Sequence, residues 1–132
     1  MRLLICGGRA YADWRRLSSV LDKIHAADPV TLVIHGDASG ADRLAKIWAT
    51  RRNIPQRAFP AMWGDVTGLS RSQIGYRKDG SPYSKVAGFR RNQQMLDEGN
   101  PDLVVAFPGG AGTADMRGRA FTRGVAVMDV EP

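Results

Sequence analysis

Four short apolar runs stand out along the chain: Leu3-Leu4-Ile5-Cys6, Thr31-Leu32-Val33-Ile34-His35, Leu103-Val104-Val105-Ala106-Phe107 and Val125-Ala126-Val127-Met128. Each is continuous rather than alternating, the pattern of a strand covered on both faces. Arg57-Ala58-Phe59, between Pro55 and Pro60, reads as a weaker strand. Between these runs the apolar spacing changes to the helical period. Asp13 is placed to cap a helix whose apolar face is Trp14, Leu17, Leu21 and Ile24. Ser39-Gly40-Ala41-Asp42 fits a capping box ahead of a helix with Ala41, Leu44, Ala45, Trp48 and Ala49 on one face. Arg90-Arg91-Asn92 is expected to open a helix before the 103–107 strand, and a further helix should follow the glycines after it.

Strands alternating with helices over short connections predict an α/β fold, a Rossmann-like three-layer sandwich around a five-stranded parallel sheet. The expected strand order is 3-2-1-4-5, because the long stretch from Pro60 to Phe89 allows the chain to cross to the far side of strand 1. No repeat or boundary divides residues 1–132, so a single domain is expected. Residues 61–85 interrupt the alternation with Gly64, Gly68, Gly75, Gly80 and Pro82 among Arg71, Arg77, Lys78 and Lys85. Such an insertion is an exposed loop, a ligand-covering flap or a partner contact.

Composition narrows the function. A lone Cys6 rules out a disulfide framework and a cysteine zinc site. No apolar run approaches a membrane span, and the first residues lack the apolar stretch of a secretory leader, so a cytoplasmic protein is expected. The 19 Lys and Arg against 13 Asp and Glu give a net charge of +6, which invites an anionic partner. No block of five like charges occurs, so nucleic acid is allowed but not required. Fifteen glycines are present, and seven of them cluster after apolar runs: Gly7-Gly8, Gly36 with Gly40, and Gly109-Gly110 with Gly112.

In a doubly wound sheet, ligands bind beyond the carboxyl ends of the strands where strand order reverses, here between strands 1 and 4. All three glycine clusters converge on that edge. Pro108-Gly109-Gly110-Ala111-Gly112-Thr113 can bring backbone N–H groups and a helix N-terminus to a phosphate, with Thr113 as a cap or a phosphate ligand. The same residues also suit a tight strand-to-helix turn. Gly7-Gly8-Arg9 is not a dinucleotide-binding Gly-x-Gly-x-x-Gly, and no Walker A sequence is present. No bound cofactor is expected. Adjacent arginines on a helix point about 100° apart, so at most one of the pair faces the crevice, taken here to be Arg91 rather than Arg90, unless both are solvated. Asp37 and Asp42 either shape the second turn or contact a ligand ribose or base. His35 is expected to be a satisfied histidine, Trp14 and Trp48 core residues, and a metal site has no ligand set.

The residues from Met1 to Ala12, His35–Asp42 with Trp48-Ala49, Ala87–Met95 and Phe107–Met116 resemble the YspA-type, cpYpsA-related branch of the SLOG superfamily. The resemblance implies a nucleotide-derived ligand. Some superfamily members are proposed to sense or process such signals in prokaryotic and phage conflict. Others, the "lonely guy" phosphoribohydrolases, cleave the N-glycosidic bond of nucleoside 5′-monophosphates. Their motif is matched by Gly109, Gly110, Gly112, Thr113, Arg91 and Met95, but the catalytic Glu position holds Met116. Asp115 lies one residue early. DNA-processing protein A, another relative, binds single-stranded DNA. The expected role is therefore binding of a nucleotide-derived ligand, as a sensor, sequestering protein or regulator. A phosphoribohydrolase and a single-stranded nucleic-acid binder are the alternatives. The expected contacts are Gly7, Gly8, Arg9, Gly36, Asp37, Gly40, Asp42, Arg91, Asn92, Pro108, Gly109, Gly110, Gly112 and Thr113. No catalytic residue is assigned, self-association is allowed, and no membrane partner is expected.

Overall fold

A computed structural model describes all 132 residues, Met1–Pro132. Five strands form one parallel sheet: β1 (Arg2–Cys6), β2 (Leu32–His35), β3 (Gln56–Ala58), β6 (Leu103–Ala106) and β7 (Ala126–Asp129). Their order is β3-β2-β1-β6-β7, with Leu4 opposite both Ile34 and Val104. The spatial order matches the expected 3-2-1-4-5 once two strands outside the sheet, β4 (Ile74–Tyr76) and β5 (Pro82–Ser84), are counted in the chain. Four helices connect these strands: α1 (Trp14–Ala27), α2 (Ala41–Arg51), α3 (Ala87–Gly99) and α4 (Ala111–Arg123).

The strand side chains explain the layers. Leu3, Ile5, Val33, Val105 and Phe107 point to one face and pack with Leu17, Leu21 and Ile24 of α1 and Ala45 and Trp48 of α2. Leu4, Cys6, Ile34, Val104 and Ala106 point to the other and pack with Met95 and Leu96 of α3 and Met116 and Ala120 of α4. Successive residues of β1, β2 and β6 enter opposite cores, which is why those runs are apolar throughout. The edge strand β7, apolar as it is, leaves Ala126 and Met128 exposed, because no strand or helix covers its outer side. Trp48 is fully buried, with its indole N–H donating to Asp22 Oδ1 at 3.0 Å. His35 is satisfied as expected, with Nδ1 accepting from the Asp37 N–H at 3.1 Å and Nε2 beside Gln56 Oε1 at 3.2 Å.

Asp13 caps α1 by accepting from the Arg16 N–H at 3.0 Å. The other helix starts differ from expectation. The capping box at Ser39 does not form: Gly40 is the N-cap of α2, and the carbonyl of Gly8 takes the Ala41 N–H at 3.1 Å. The Asp42 carboxylate is turned to a different task. Helix α3 begins at Ala87, three residues before Arg90, whose N–H already donates to the Val86 carbonyl. Thr113 is no cap either, because α4 starts at Ala111 and leaves it in the first turn.

Residues 61–85 are built rather than irregular. A 3₁₀ turn at Arg71–Gln73 leads into β4, which pairs antiparallel with β5. The Ser84 N–H donates to the Trp63 carbonyl at 2.7 Å and the Lys85 N–H to the Gln73 carbonyl at 2.8 Å. The segment thereby closes on itself and on the start of α3. Glycine spacing signals turns but does not show which strands they join.

Candidate functional site

A cavity of about 770 Å³ opens between the ends of β1 and β6. The β1 turn supplies Gly7, Gly8 and Arg9 to its wall, the β6 turn supplies Pro108, Gly109, Gly110, Gly112 and Thr113, and α3 supplies Arg91 and Asn92. Asp42 reaches it from α2. The volume lies within the range of small-molecule sites.

The β6–α4 turn is the most open polar surface in this cavity. The backbone N–H groups of Gly109, Gly110, Ala111, Gly112 and Thr113 have no acceptor in the protein, and no side chain caps the helix. A Cβ placed on Gly110 or Gly112 would meet nothing within 4 Å, so packing does not require glycine at either position. At Gly109 the reason is steric: a Cβ would crowd the Thr113 hydroxyl and come within 2.7 Å of Gly8 N. Helix α2 makes the contrast. Its first amide, that of Ala41, donates to the Gly8 carbonyl, and two amides of the turn before it, Gly36 and Ala38, donate to Asp42.

Asp42 is buried, and its Oδ2 accepts from the N–H groups of Gly36 (3.1 Å) and Ala38 (3.2 Å). Burial pushes its carboxyl above the usual range. Those amides and the nearby Arg91 and His35 pull against that rise. On the other side of the same peptide turn, Arg91 Nη1 donates to the Gly36 carbonyl at 2.5 Å and to the Phe59 carbonyl at 3.4 Å. Arg91 Nε donates to Asn92 Oδ1 at 3.2 Å, and Nη2 makes no hydrogen bond to the protein. Burial lowers the guanidinium pKa, Asp42 opposes this, and arginine keeps its charge. Arg91 is thus aimed by three contacts and retains one free fork of donors. Arg90 is exposed on the opposite flank of α3, beside Gln94 and Asp97.

Several expected contacts take other roles. Asn92 lines the cavity, but its Nδ2 donates to the Gly112 carbonyl at 3.1 Å and to Asp115 Oδ2 at 3.0 Å, tying α3 to the start of α4. Gly40 does not line the cavity. Its φ of +74° and its contact with the Gly8 and Arg9 backbone leave no room for a side chain. Gly36 and Asp37 line an adjacent pocket of about 280 Å³, together with Arg9, Trp63 and Arg91. Asp37 has a φ of 54° and lies 3.9 Å from Lys46. Met116 is buried in the α3–α4 core, and Asp115 is paired with Arg119 at 2.7 Å. Cys6 reaches the cavity floor, yet burial pushes its thiol up to about 12.

Among the wall residues that sequence reasoning missed are Tyr11, Trp63, Lys85, Gly88 and Phe89. Trp63 sits between Pro60 and Gly64 in a segment without periodicity, so only its size marked it. Arg9 lies over its ring, 4.9 Å from the centroid. Arg9, Lys85 and Arg91 bring three positive charges to the cavity against the single carboxylate of Asp42.

Residues 1–65 match the model of YAcAr, the YspA, cpYpsA-related SLOG family. Gene 61 protein of Mycobacterium phage D29 is 31% identical, over 97% of this chain and 94% of the phage protein. Among solved structures, MurG from Acinetobacter baumannii superposes with a TM-score of 0.56 at 13% identity, over 96% of this chain. UDP-GlcNAc 2-epimerase from Neisseria meningitidis, bound to UDP-GlcNAc, superposes at 0.52 and 14% identity over 98%. The chain spans 33% and 31% of those two proteins, and the likeness is one of fold.

Proposed function

The chain belongs to the YspA, cpYpsA-related SLOG family, and from that premise we propose that it binds a nucleotide-derived small molecule through its phosphate, as a sensor, sequestering protein or regulator. The observation carrying this reading is the run of five unpartnered backbone N–H groups at the start of α4, in the cavity that Arg91 also lines with its Nη2 free. Amides give the geometry for phosphate oxygens, the helix dipole favours the anion, and the guanidinium adds formal charge. Gly110 and Gly112 leave open the space that a phosphate needs. The fold neighbour bound to UDP-GlcNAc shows a nucleotide sugar held by a protein of this architecture.

Binding is preferred to hydrolysis. An N-glycosidase needs a carboxylate free to act at the sugar, and Met116 is buried in the core while Asp115 is held by Asn92 and Arg119. Asp42 is the only acid at the cavity, and its Oδ2 is occupied by two amides.

Calorimetry with adenosine 5′-monophosphate and adenosine tests the reading. A hydrogen bond to a charged group contributes roughly 1.5–3 kcal/mol, so Arg91→Ala should weaken the nucleotide about 10- to 150-fold. Adenosine should bind weakly and be nearly indifferent to the substitution. Equal losses for both would remove the phosphate from Arg91. Free adenine released during incubation, detected by chromatography, would restore the hydrolase.

A further inference from the structure

The cavity's lining divides between amide-rich turns and a group of aromatic rings, and the turns account for only one end of a nucleotide. Trp63, like Phe89, is a cavity ring that neither apolar core takes up. It is half-buried. Its indole N–H donates to nothing in the protein, unlike that of Trp48. A large apolar ring left at a cavity wall with a free donor suits a ligand that offers a flat face and an acceptor.

Its position is nevertheless controlled. The Trp63 carbonyl accepts from the Ser84 N–H at 2.7 Å, which anchors it to the end of the β4–β5 hairpin. Arg9 lies over the ring at 4.9 Å. The outer edge of the ring rests over Gly88, where an added Cβ would stand 3.2 Å from Cη2 and 3.7 Å from Cζ2. Glycine is a poor residue for the first turn of α3. At Gly88 it provides the seat for the indole. Trp63 also forms the shared wall between the main cavity and the pocket beside Gly36 and Asp37.

We propose that Trp63, held by Arg9 and seated on Gly88, is the specificity-determining wall that stacks on the planar heteroaromatic base of the ligand. The proposal rests on the nucleotide reading above and adds which part of the ligand the 61–85 segment recognises. The segment is then a built half of the site, with its hairpin holding the indole in place. Stacking on an aromatic side chain needs no particular base, so the wall selects for a base over none before it selects among bases.

The experiment measures binding of adenosine, guanosine, cytidine and uridine 5′-monophosphates and of ribose 5-phosphate to the full chain, Trp63→Ala, Trp63→Phe and Arg91→Ala. Trp63→Ala should weaken the best-bound nucleotide roughly 5- to 150-fold, the range of base–aromatic stacking. It should leave ribose 5-phosphate unchanged, and Trp63→Phe should retain part of the loss. Arg91→Ala should weaken both ligand types. Nucleotide should also perturb the tryptophan fluorescence of the wild type, and that change should vanish in Trp63→Phe. If ribose 5-phosphate binds the wild type as tightly as every nucleotide, the wall does not read a base and the proposal falls while the phosphate site stands. Equal loss of nucleotide and ribose 5-phosphate in Trp63→Ala makes the indole a structural support and overturns it too. If none of the five ligands binds, the nucleotide reading itself is refuted and the proposal goes with it.

Discussion

Replacing Asp42 tests whether the β2–α2 turn is held together from inside the site. Its Oδ2 joins the Gly36 and Ala38 amides, and the Gly36 carbonyl receives Arg91, so one carboxylate sets the peptide on which the guanidinium rests. Asp42→Ala leaves one buried and one partly buried N–H without a partner. Each unpaired buried donor costs about 1–3 kcal/mol, with the less enclosed Ala38 at the low end, so a loss of about 2–4 kcal/mol is expected. That is a large share of the roughly 5–15 kcal/mol holding a domain of this size, yet compatible with folding at room temperature. Asp42→Asn keeps an acceptor oxygen and should cost about 1 kcal/mol or less. The acid dependence has a definite sign. Burial raises the folded pKa of Asp42, so its proton is held more tightly in the folded state than in the unfolded chain. Its contribution to stability is therefore fully present below the ordinary carboxylate pKa of about 4 and is lost as pH rises through the higher folded value. Urea unfolding of wild type and Asp42→Asn across that interval isolates this group. The wild type should lose stability relative to the variant as pH rises. Alanine and asparagine variants of equal stability, or a difference running the other way with pH, would refute the account of this turn.

Gly110→Ala should leave the melting temperature within about a degree or two, because its φ is negative and its Cβ would enter open space, while nucleotide affinity falls sharply. A retained affinity in calorimetry would show that no ligand approaches that amide. Gly40→Ala should destabilise by at least about 1–3 kcal/mol in chemical denaturation, since it combines a positive φ with a clash against the Arg9 backbone. Cys6 should resist alkylation in the folded protein at pH 8, with its thiol held near 12, and rapid labelling seen by mass spectrometry would contradict that environment. Residues 61–85 should exchange amide hydrogens faster than β1 and slow when nucleotide is added. Protection equal to that of β1 without ligand would contradict the lower local stability expected of this segment.

The five strands, the burial of the central three on two faces and the meeting of the glycine clusters at one edge were legible in the sequence, whereas the exposure of the apolar edge strand β7 was not. Each legible feature follows from local apolar spacing together with the rules of parallel sheets. Helical geometry showed that Arg90 and Arg91 could not both face the crevice, and the structure places Arg91 there. Proximity between distant turns was not legible, and it decided the rest. Ser39 and Asp42 have the spacing of a cap, but Gly40 takes the N-cap position, packed against the Gly8 and Arg9 backbone of the turn after β1, and Asp42 turns inward to lock Gly36. Asn92 matches a binding motif, but α4 lies close enough to engage both of its N–H groups. Trp63, Lys85 and Gly88 meet only because the β4–β5 hairpin folds back onto the start of α3. Spacing along a chain determines which way a side chain faces on its own element. Which donor is already satisfied, and which ring has a seat, depends on the residues that the fold brings across from elsewhere.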